Sequence, residues 1–585
     1  MGAIARLAAN KEMKKLIIIL FTFIAFNANA QNNKQVIDPT VEVNRDFEGK
    51  MMEVTKGKIA TTIADSLYKF KMDFNYSFFD KPYKDLYEFS AVESAGVPQL
   101  EKSWQPELIA KIGAGYPLSP EVCVLYTPDL SGNHFLKLKG NFSMYKGEVP
   151  VYAADGNKII TTGEKTGNSE IDYGTGAGYT YAWKSGEFNA YAGYRGGKRR
   201  LFQKIAGDTA ASTKAKSPID IYPLNFHQFE GGFGVKSSGA EKYGQKFNYA
   251  FKGDFRHTIE KPLKENLFSF TGWMGPTTGK FNKFTVDVGG TYADHSGSNG
   301  YNYGLLSITP QYKYEKGNLN LEVGVKIEGK FTNSKFGADK FHNTLFPAAN
   351  ISFGLLPHKL WLYGTVDGWN SINAWSSIFA KNNFITTELS GLKASSVPVQ
   401  AEGGLQGRIT DKFSYRIYAV YAVHKGLQQF VYNPDTGSFS TFYSNNNEFA
   451  AGGEFDIATE PFQCGASFRY ASFTKGKKST LELDGIDAIG FPALQGSIYG
   501  KYNWNRKFSI GVKCHMQSEE KALCTNGSVV ETEAFADLQV SAEYTFSNTF
   551  TLWLSGENIL NAATQYTPFY QRKTRGILAG IIVKL

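Results

Sequence analysis

The chain has 585 residues, 15% of them aromatic, with 60 glycines, a formal charge of +9 and a mean hydropathy of −0.30. That hydropathy excludes a bundle of membrane helices, and the length exceeds one ordinary soluble domain. Four cysteines are too few for a disulfide scaffold, and no basic run beside a recognition motif points to a nucleic-acid partner.

The N-terminus reads as an export signal. Met13-Lys14-Lys15 is a basic start, Leu16 to Phe26 is apolar, and Asn27-Ala28-Asn29-Ala30 offers a small-residue cleavage site before Gln31. The apolar run falls well short of the about 20 residues of a membrane helix. Residues 1–30 are therefore expected to be a signal-peptide region, with the true start at Met13. No cysteine follows the cleavage site, so no lipid anchor is indicated. An exported chain without a helix-length apolar run can occupy a membrane only as a closed barrel.

Residues 31–104 are expected to form a periplasmic or lumenal arm. Its second half, 66–90, is dense in rings: Phe70, Phe74, Tyr76, Phe78, Phe79, Tyr83, Tyr87 and Phe89. A disordered tail is not this aromatic. With Asp80, Lys81, Lys84 and Asp85 to meet a polar wall, the segment is expected to dock at the periplasmic mouth or in the lumen of a barrel and narrow it. A tether that binds an outer-membrane or periplasmic protein partner is the alternative.

From 105 to 585 the informative signal has period two. In 534–546, Ala536, Leu538, Val540, Ala542, Tyr544 and Phe546 share one face, and Asp537, Gln539, Ser541, Glu543 and Thr545 share the other. Segments 247–256, 413–421 and 462–470 repeat the pattern. Such a strand needs one wet face and one apolar face. The strands recur without a helical block, which predicts an all-β, antiparallel transmembrane β-barrel of about 22 strands, in a range of about 16–22. Arg256, Arg416, Arg469, Asp254, Asp537 and Glu543 should face the lumen, where their mixed sign favours ion pairing over a selectivity ring.

Tight junctions fall at Lys184-Ser185-Gly186, Lys316-Gly317-Asn318, Pro357-His358, Thr410-Asp411-Lys412, Thr459-Glu460-Pro461, Asn505-Arg506 and Ser547-Asn548. Longer ones, 370–395, 425–438, 474–491, 515–530 and 558–573, alternate with them. Short periplasmic turns and long outer loops have this parity. The polar stretch 195–224 is expected to be another outer loop. Its Lys198-Arg199-Arg200 could contact lipopolysaccharide phosphates or simply be solvated. Cys514 and Cys524 bound one loop, where either a disulfide or two free thiols fits. The last strand, 575–585, carries Ile577, Ala579, Ile581, Val583 and Leu585 on one face. A barrel's final strand must pair with its first and is commonly read by the barrel-insertion machinery.

The stretch 529–585 resembles the final strands of TonB-dependent receptors. The likeness rests on Asp537-Leu538-Gln539-Val540, Tyr544-Thr545-Phe546, Trp553, Gly556-Glu557-Asn558-Ile559-Leu560-Asn561, the rings Tyr566, Phe569 and Tyr570, and Arg575-Gly576. Segment 396–416 resembles the middle of the same barrels. The resemblance implies outer-membrane localisation in a Gram-negative bacterium and a role in uptake. Residues 31–104 are too short for the plug domain of that family, so a plugless member is expected and energy coupling is not carried over. Val36-Ile37 and Thr40-Val41-Glu42-Val43 only faintly resemble the segment that engages TonB.

Catalytic, cofactor and metal residues are not expected. The eight histidines are scattered, Asp484-Gly485-Ile486-Asp487 lacks the other ligands of a calcium loop, and no G-x-S-x-G is present. Two functions remain: a transport barrel, or an accessory barrel in a larger outer-membrane complex for assembly or export. Lipid and lipopolysaccharide are the expected surroundings of either.

Overall fold

The computed structural model describes residues 106–585 except 131, 203–220, 239–246, 262, 277–281, 297–300, 335–341, 357–358, 388–391 and 478–486, all within the unit that runs from Phe79 to Leu585. The aromatic segment 66–90, the export signal and the turn at Pro357-His358 lie outside the described residues.

In chain order the first strands are β1 Leu108–Tyr116, β2 Glu121–Tyr126, β3 His134–Asp155, β4 Lys158–Trp183, β5 Gly186–Phe202, β6 Ile221–Ser237, β7 Phe247–Glu260 and β8 Leu263–Pro276. Then come β9 Asn282–Ser296, β10 Tyr301–Lys316, β11 Leu319–Ser334, β12 His342–Leu356, β13 Leu360–Ser371, the short helix α1 Trp375–Lys381, β14 Ser395–Thr410, β15 Phe413–Asn433 and β16 Ser438–Ala458. The last are β17 Phe462–Lys475, β18 Leu494–Trp504, β19 Phe508–Gln517, β20 Lys521–Cys524, β21 Val529–Glu531, β22 Phe535–Thr545, β23 Phe550–Glu557 and β24 Gly576–Lys584. Twenty-two of them form a closed antiparallel wall; β20 and β21 are a hairpin inside the loop between β19 and β22. Each wall strand pairs with its neighbour in sequence. The ring closes where β24 runs beside β1, from Ile109↔Lys584 to Tyr116↔Ile577.

The alternation does what a membrane requires. On β11, Val323, Val325 and Ile327 point outward and are 46–47% exposed, which water would punish and lipid satisfies. The intervening Glu322 and Lys326 point inward, Glu322 to Lys313 at 3.1 Å and Lys326 to Asp367 at 2.9 Å. On β24, Ile577 and Ile581 face lipid, while Leu578 and Ile582 pack inward with Trp553 and Ile109. The six charged residues expected in the lumen alternate with lipid-facing neighbours, and most meet opposite charge. Arg416 pairs with Glu402, Arg469 with Glu448, and Glu543 with Lys501 at 3.3 Å. The lumen wall is thus laced by ion pairs.

The junctions at Lys184-Ser185, Gly317-Asn318, Asp411-Lys412, Thr459 to Pro461, Asn505-Arg506 and Ser547-Asn548 all lie at the end of the ring that holds Leu585, the end that their shortness leads one to expect in the periplasm. Two expected outer loops are corrected. Segment 425–438 is not a loop, because β15 and β16 continue through it to a short turn, and 195–224 is β5 and β6 as far as Phe202 and from Ile221.

Candidate functional site

The distinctive region is the outer mouth. A tilted strand crosses the hydrocarbon in about 9–11 residues. β3 and β4 have 22 and 26 residues, and β15 and β16 have 21 each. Their surplus stands above the membrane, on opposite sides of the ring, since β4 and β15 are eleven strands apart. The β20–β21 hairpin joins the two tips. β20 runs parallel to β15 through Val431↔Leu523 and Tyr432↔Cys524, and β21 meets β4 at Glu531↔Lys158. The Thr525 amide donates to the Tyr432 carbonyl at 2.9 Å, and the Glu531 amide to the Asn157 carbonyl at 2.8 Å. A ladder of backbone bonds therefore spans the mouth. Its tip is Asn526-Gly527, with Gly527 at φ +83°, the left-handed conformation that favours glycine.

Two apolar clusters fill the space around the ladder. One unites Tyr152, Ile159, Phe384, Tyr432, Phe439, Phe569 and Tyr570, contributed by four outer segments: the β3–β4 extension, the β13–β14 loop, the β15–β16 extension and the β23–β24 loop. Tyr570 stacks on Phe384 with centroids 3.8 Å apart, and Phe569 on Tyr432 at 4.0 Å. The other holds α1: Trp375, Ile378 and Phe379 pack on Phe226 of β6, Leu263 of β8 and Tyr303 of β10. α1 hangs from the β13–β14 loop, so it too reaches across the opening. Glu265 of β8 accepts the amides of Trp375 at 2.5 Å and Ser376 at 3.0 Å, and the Tyr303 hydroxyl donates to the Leu392 carbonyl at 2.6 Å.

The β23–β24 loop is pinned from the inside. Glu170 of β4 receives Arg572 at 3.0 Å and Arg199 at 3.1 Å, and Arg199 also reaches Asp172 at 3.1 Å. Tyr152 donates to Gln571 at 2.7 Å, Asn168 to the Arg572 carbonyl at 2.8 Å, and Tyr566 to Asp537 at 2.8 Å. Burial, then the Asp537 carboxylate, push the Tyr566 phenol far above its ordinary range, so it stays a donor. Burial disfavours the Lys573 ammonium, but Glu557 and Glu170 outweigh it and hold the group charged. Past the end of β23, Asn558 to Asn561 form a turn closed by the Asn558 side chain, which donates to and accepts from Ala562 at 3.0 and 2.9 Å. Taken together, the outer segments make a roof.

The residues singled out in the sequence divide. Lys198 and Arg200 point outward from β5, whereas Arg199 is 3% exposed and committed to Glu170 and Asp172. The strand's own alternation splits the triplet, so it is not one surface patch. Cys514 and Cys524 are free thiols, the first on the β19 wall and the second in the roof cluster, so no disulfide joins them. Asp484-Gly485-Ile486 lies outside the described residues; the Asp487 carbonyl accepts from Asn446. No group of metal-binding side chains is present among the described residues. Sequence reasoning missed the roof hairpin, although Asn526-Gly527 is a hairpin signal, and missed Glu265, for which no local signal exists.

No family model matches the chain, and no curated protein does. Solved structures do. The copper transporter OprC aligns over 83% of this chain and 82% of its own, with a TM-score of 0.58 at 10% identity. The ferric-catecholate import receptor Fiu from K12 E. coli aligns over 82% of each chain, with a TM-score of 0.59 at 9% identity. The FrpB iron transporter from Neisseria meningitidis (F5-1 variant) aligns over 83% of each, with a TM-score of 0.57 at 12% identity. At these identities the likeness is one of fold. That fold, with its lipid-facing belt and polar lumen, defines an outer-membrane β-barrel of the size and closure seen in import receptors. It is the fold that the resemblance to TonB-dependent receptors led one to expect.

Proposed function

We propose that this barrel carries a bulky hydrophilic solute inward across the outer membrane and that the roof is its outer gate. The likeness to import receptors over more than four-fifths of both chains supports uptake. The observation that carries the gate is how little backbone pairing ties the roof across the mouth. The hairpin holds β15 by two residue pairs and β4 by one, whereas β3 and β4 share a ladder running from His134↔Tyr181 to Asp155↔Lys158. Each such bond contributes only about 0.5–1.5 kcal/mol net, so a bound solute can part the tips without disturbing the wall. A second reading, a permanently closed accessory barrel, draws on the stacked aromatic cluster, which would be costly to wet.

One experiment separates them. Lys158→Cys and Glu531→Cys are introduced together after Cys123, Cys464, Cys514 and Cys524 have been changed to Ala. Solutes that cells with the barrel deplete from rich medium, and cells without it do not, are identified first. Oxidising the lock should stop their depletion and reduction should restore it. Depletion that continues with the lock closed would show that the roof is no gate. If no solute is depleted by the wild-type barrel either, uptake itself is wrong and the accessory reading stands.

A further inference from the structure

The wall is not of even height. β2 has six residues and β1 nine, beside β3 and β4 with 22 and 26. A strand needs about 9–11 residues to cross the hydrocarbon, which β1 just meets and β2 does not, so the β1–β2 turn rises no higher than the outer-leaflet headgroups, and above it the cylinder has a notch. One post of the notch is the β3–β4 extension. The other is the β23–β24 loop. Between them is a cavity of about 1590 Å³.

Its chemistry is layered. The sill is apolar and unusually bare: Tyr116 is 80% exposed, Leu118 51% and Ile577 53%. Tyr116 and Ile577 are paired across the seam, so the sill continues the lipid-facing belt. The posts are basic. Lys146 stands level with the sill, since it bridges Leu118, and Lys165, Arg200 and Arg575 line the same cavity. Lys146, Lys165 and Arg200 occupy the outward phase of their strands: Lys146 is opposite Ser169 and Lys165 opposite Pro150, while Lys198, two residues from Arg200, is opposite Ile171. Among the described residues none of the four cations is in an ion pair. Two carboxylates, Glu148 and Glu533, also line the cavity and leave it net positive.

We infer that this notch is a lateral binding site for a phosphorylated glycolipid of the outer leaflet, the lipid A part of lipopolysaccharide. Its acyl chains would lie down the Tyr116–Leu118–Ile577 face, in line with the belt. Its phosphates would meet Lys146, Lys165, Arg200 and Arg575. Four cations spread over three strands and a loop match a headgroup with more than one phosphate better than the single phosphate of a glycerophospholipid. The site is independent of what passes through the lumen.

The test uses the full-length barrel in detergent, with bound lipid read by native mass spectrometry. The probes are purified diphosphoryl lipid A, the same lipid A with its phosphates removed, and phosphatidylglycerol. Diphosphoryl lipid A should be retained at one copy per barrel, at least about tenfold more tightly than either other probe, as a loss of two or more charge-assisted contacts implies. The combined variant Lys146→Gln, Lys165→Gln, Arg200→Gln and Arg575→Gln should lose that preference. Equal retention of dephosphorylated lipid A would overturn the phosphate site, and equal retention of phosphatidylglycerol would overturn the glycolipid. The probe series is read on the wild-type barrel, so a variant that fails to fold leaves the inference exposed to the same two outcomes.

Discussion

Glu265 sits at the outer end of β8, and its carboxylate accepts the first two amides of α1, 110 and 111 residues away in sequence. A seven-residue helix does not hold itself in water, so α1 depends on this anchor and on its apolar face. Hydrogen bonds to a charged group contribute about 1.5–3 kcal/mol each, and cutting them leaves buried amides unmet. Glu265→Ala should therefore raise hydrogen exchange at 375–381 while the heat-dependent gel shift of the folded barrel stays in place. Unchanged exchange would mean that aromatic packing alone holds α1. Nothing in the sequence near Glu265 announces this role, because the partner is fixed by ring closure and not by spacing. Lys198-Arg199-Arg200 teaches the complementary point. The triplet reads as one basic patch by composition, yet period two sends Arg199 to Glu170 and leaves Lys198 and Arg200 outside. Applying the strand's period one turn further would have separated them in advance.

At the scale of the element, legibility tracks the membrane. Within the bilayer every strand must offer lipid one face and the lumen the other, so the alternation of β22 or β17 was plain and the count of wall strands followed. Above the bilayer no lipid face enforces it. The outer half of β15, Lys425 to Asn433, carries polar residues on both faces, Gln428 on one and Gln429 on the other, so its sequence reads as a loop although it is a paired strand. The same physics left the roof hairpin hidden inside a segment read as loop. The parity of short turns and long junctions nevertheless orients the whole wall. An epitope inserted near Gly485, between β17 and β18, should be labelled on intact cells. The same epitope at Ser547-Asn548, between β22 and β23, should be labelled only once the outer membrane is broken. The reverse pattern would invert the barrel and move the roof to the periplasm.

At the scale of the whole molecule, a ring of 22 strands encloses a lumen wide enough to endanger a cell unless it is closed. The roof spans the outer end. The aromatic segment 66–90 is expected from its sequence to narrow the other, each buried Phe contributing about 1.5–3 kcal/mol to its docking. Two closures on one lumen act in series, and the narrower sets the conductance. Their signatures in planar bilayers are therefore distinct. If both close, deleting 66–90 alone, or replacing 521–531 with a short Gly-Ser linker alone, leaves conductance low, and only the double deletion opens a large channel. If the arm is instead a tether to a partner, the roof deletion by itself gives the full conductance and adding the arm deletion changes nothing. If the arm is the only seal, deleting it opens the channel with the roof intact, and the cross-mouth ladder is then no barrier to ions. Each deletion is first checked for the gel shift of a folded barrel, because excising 521–531 removes the pairings to β15 and β4 but none of those that build the wall.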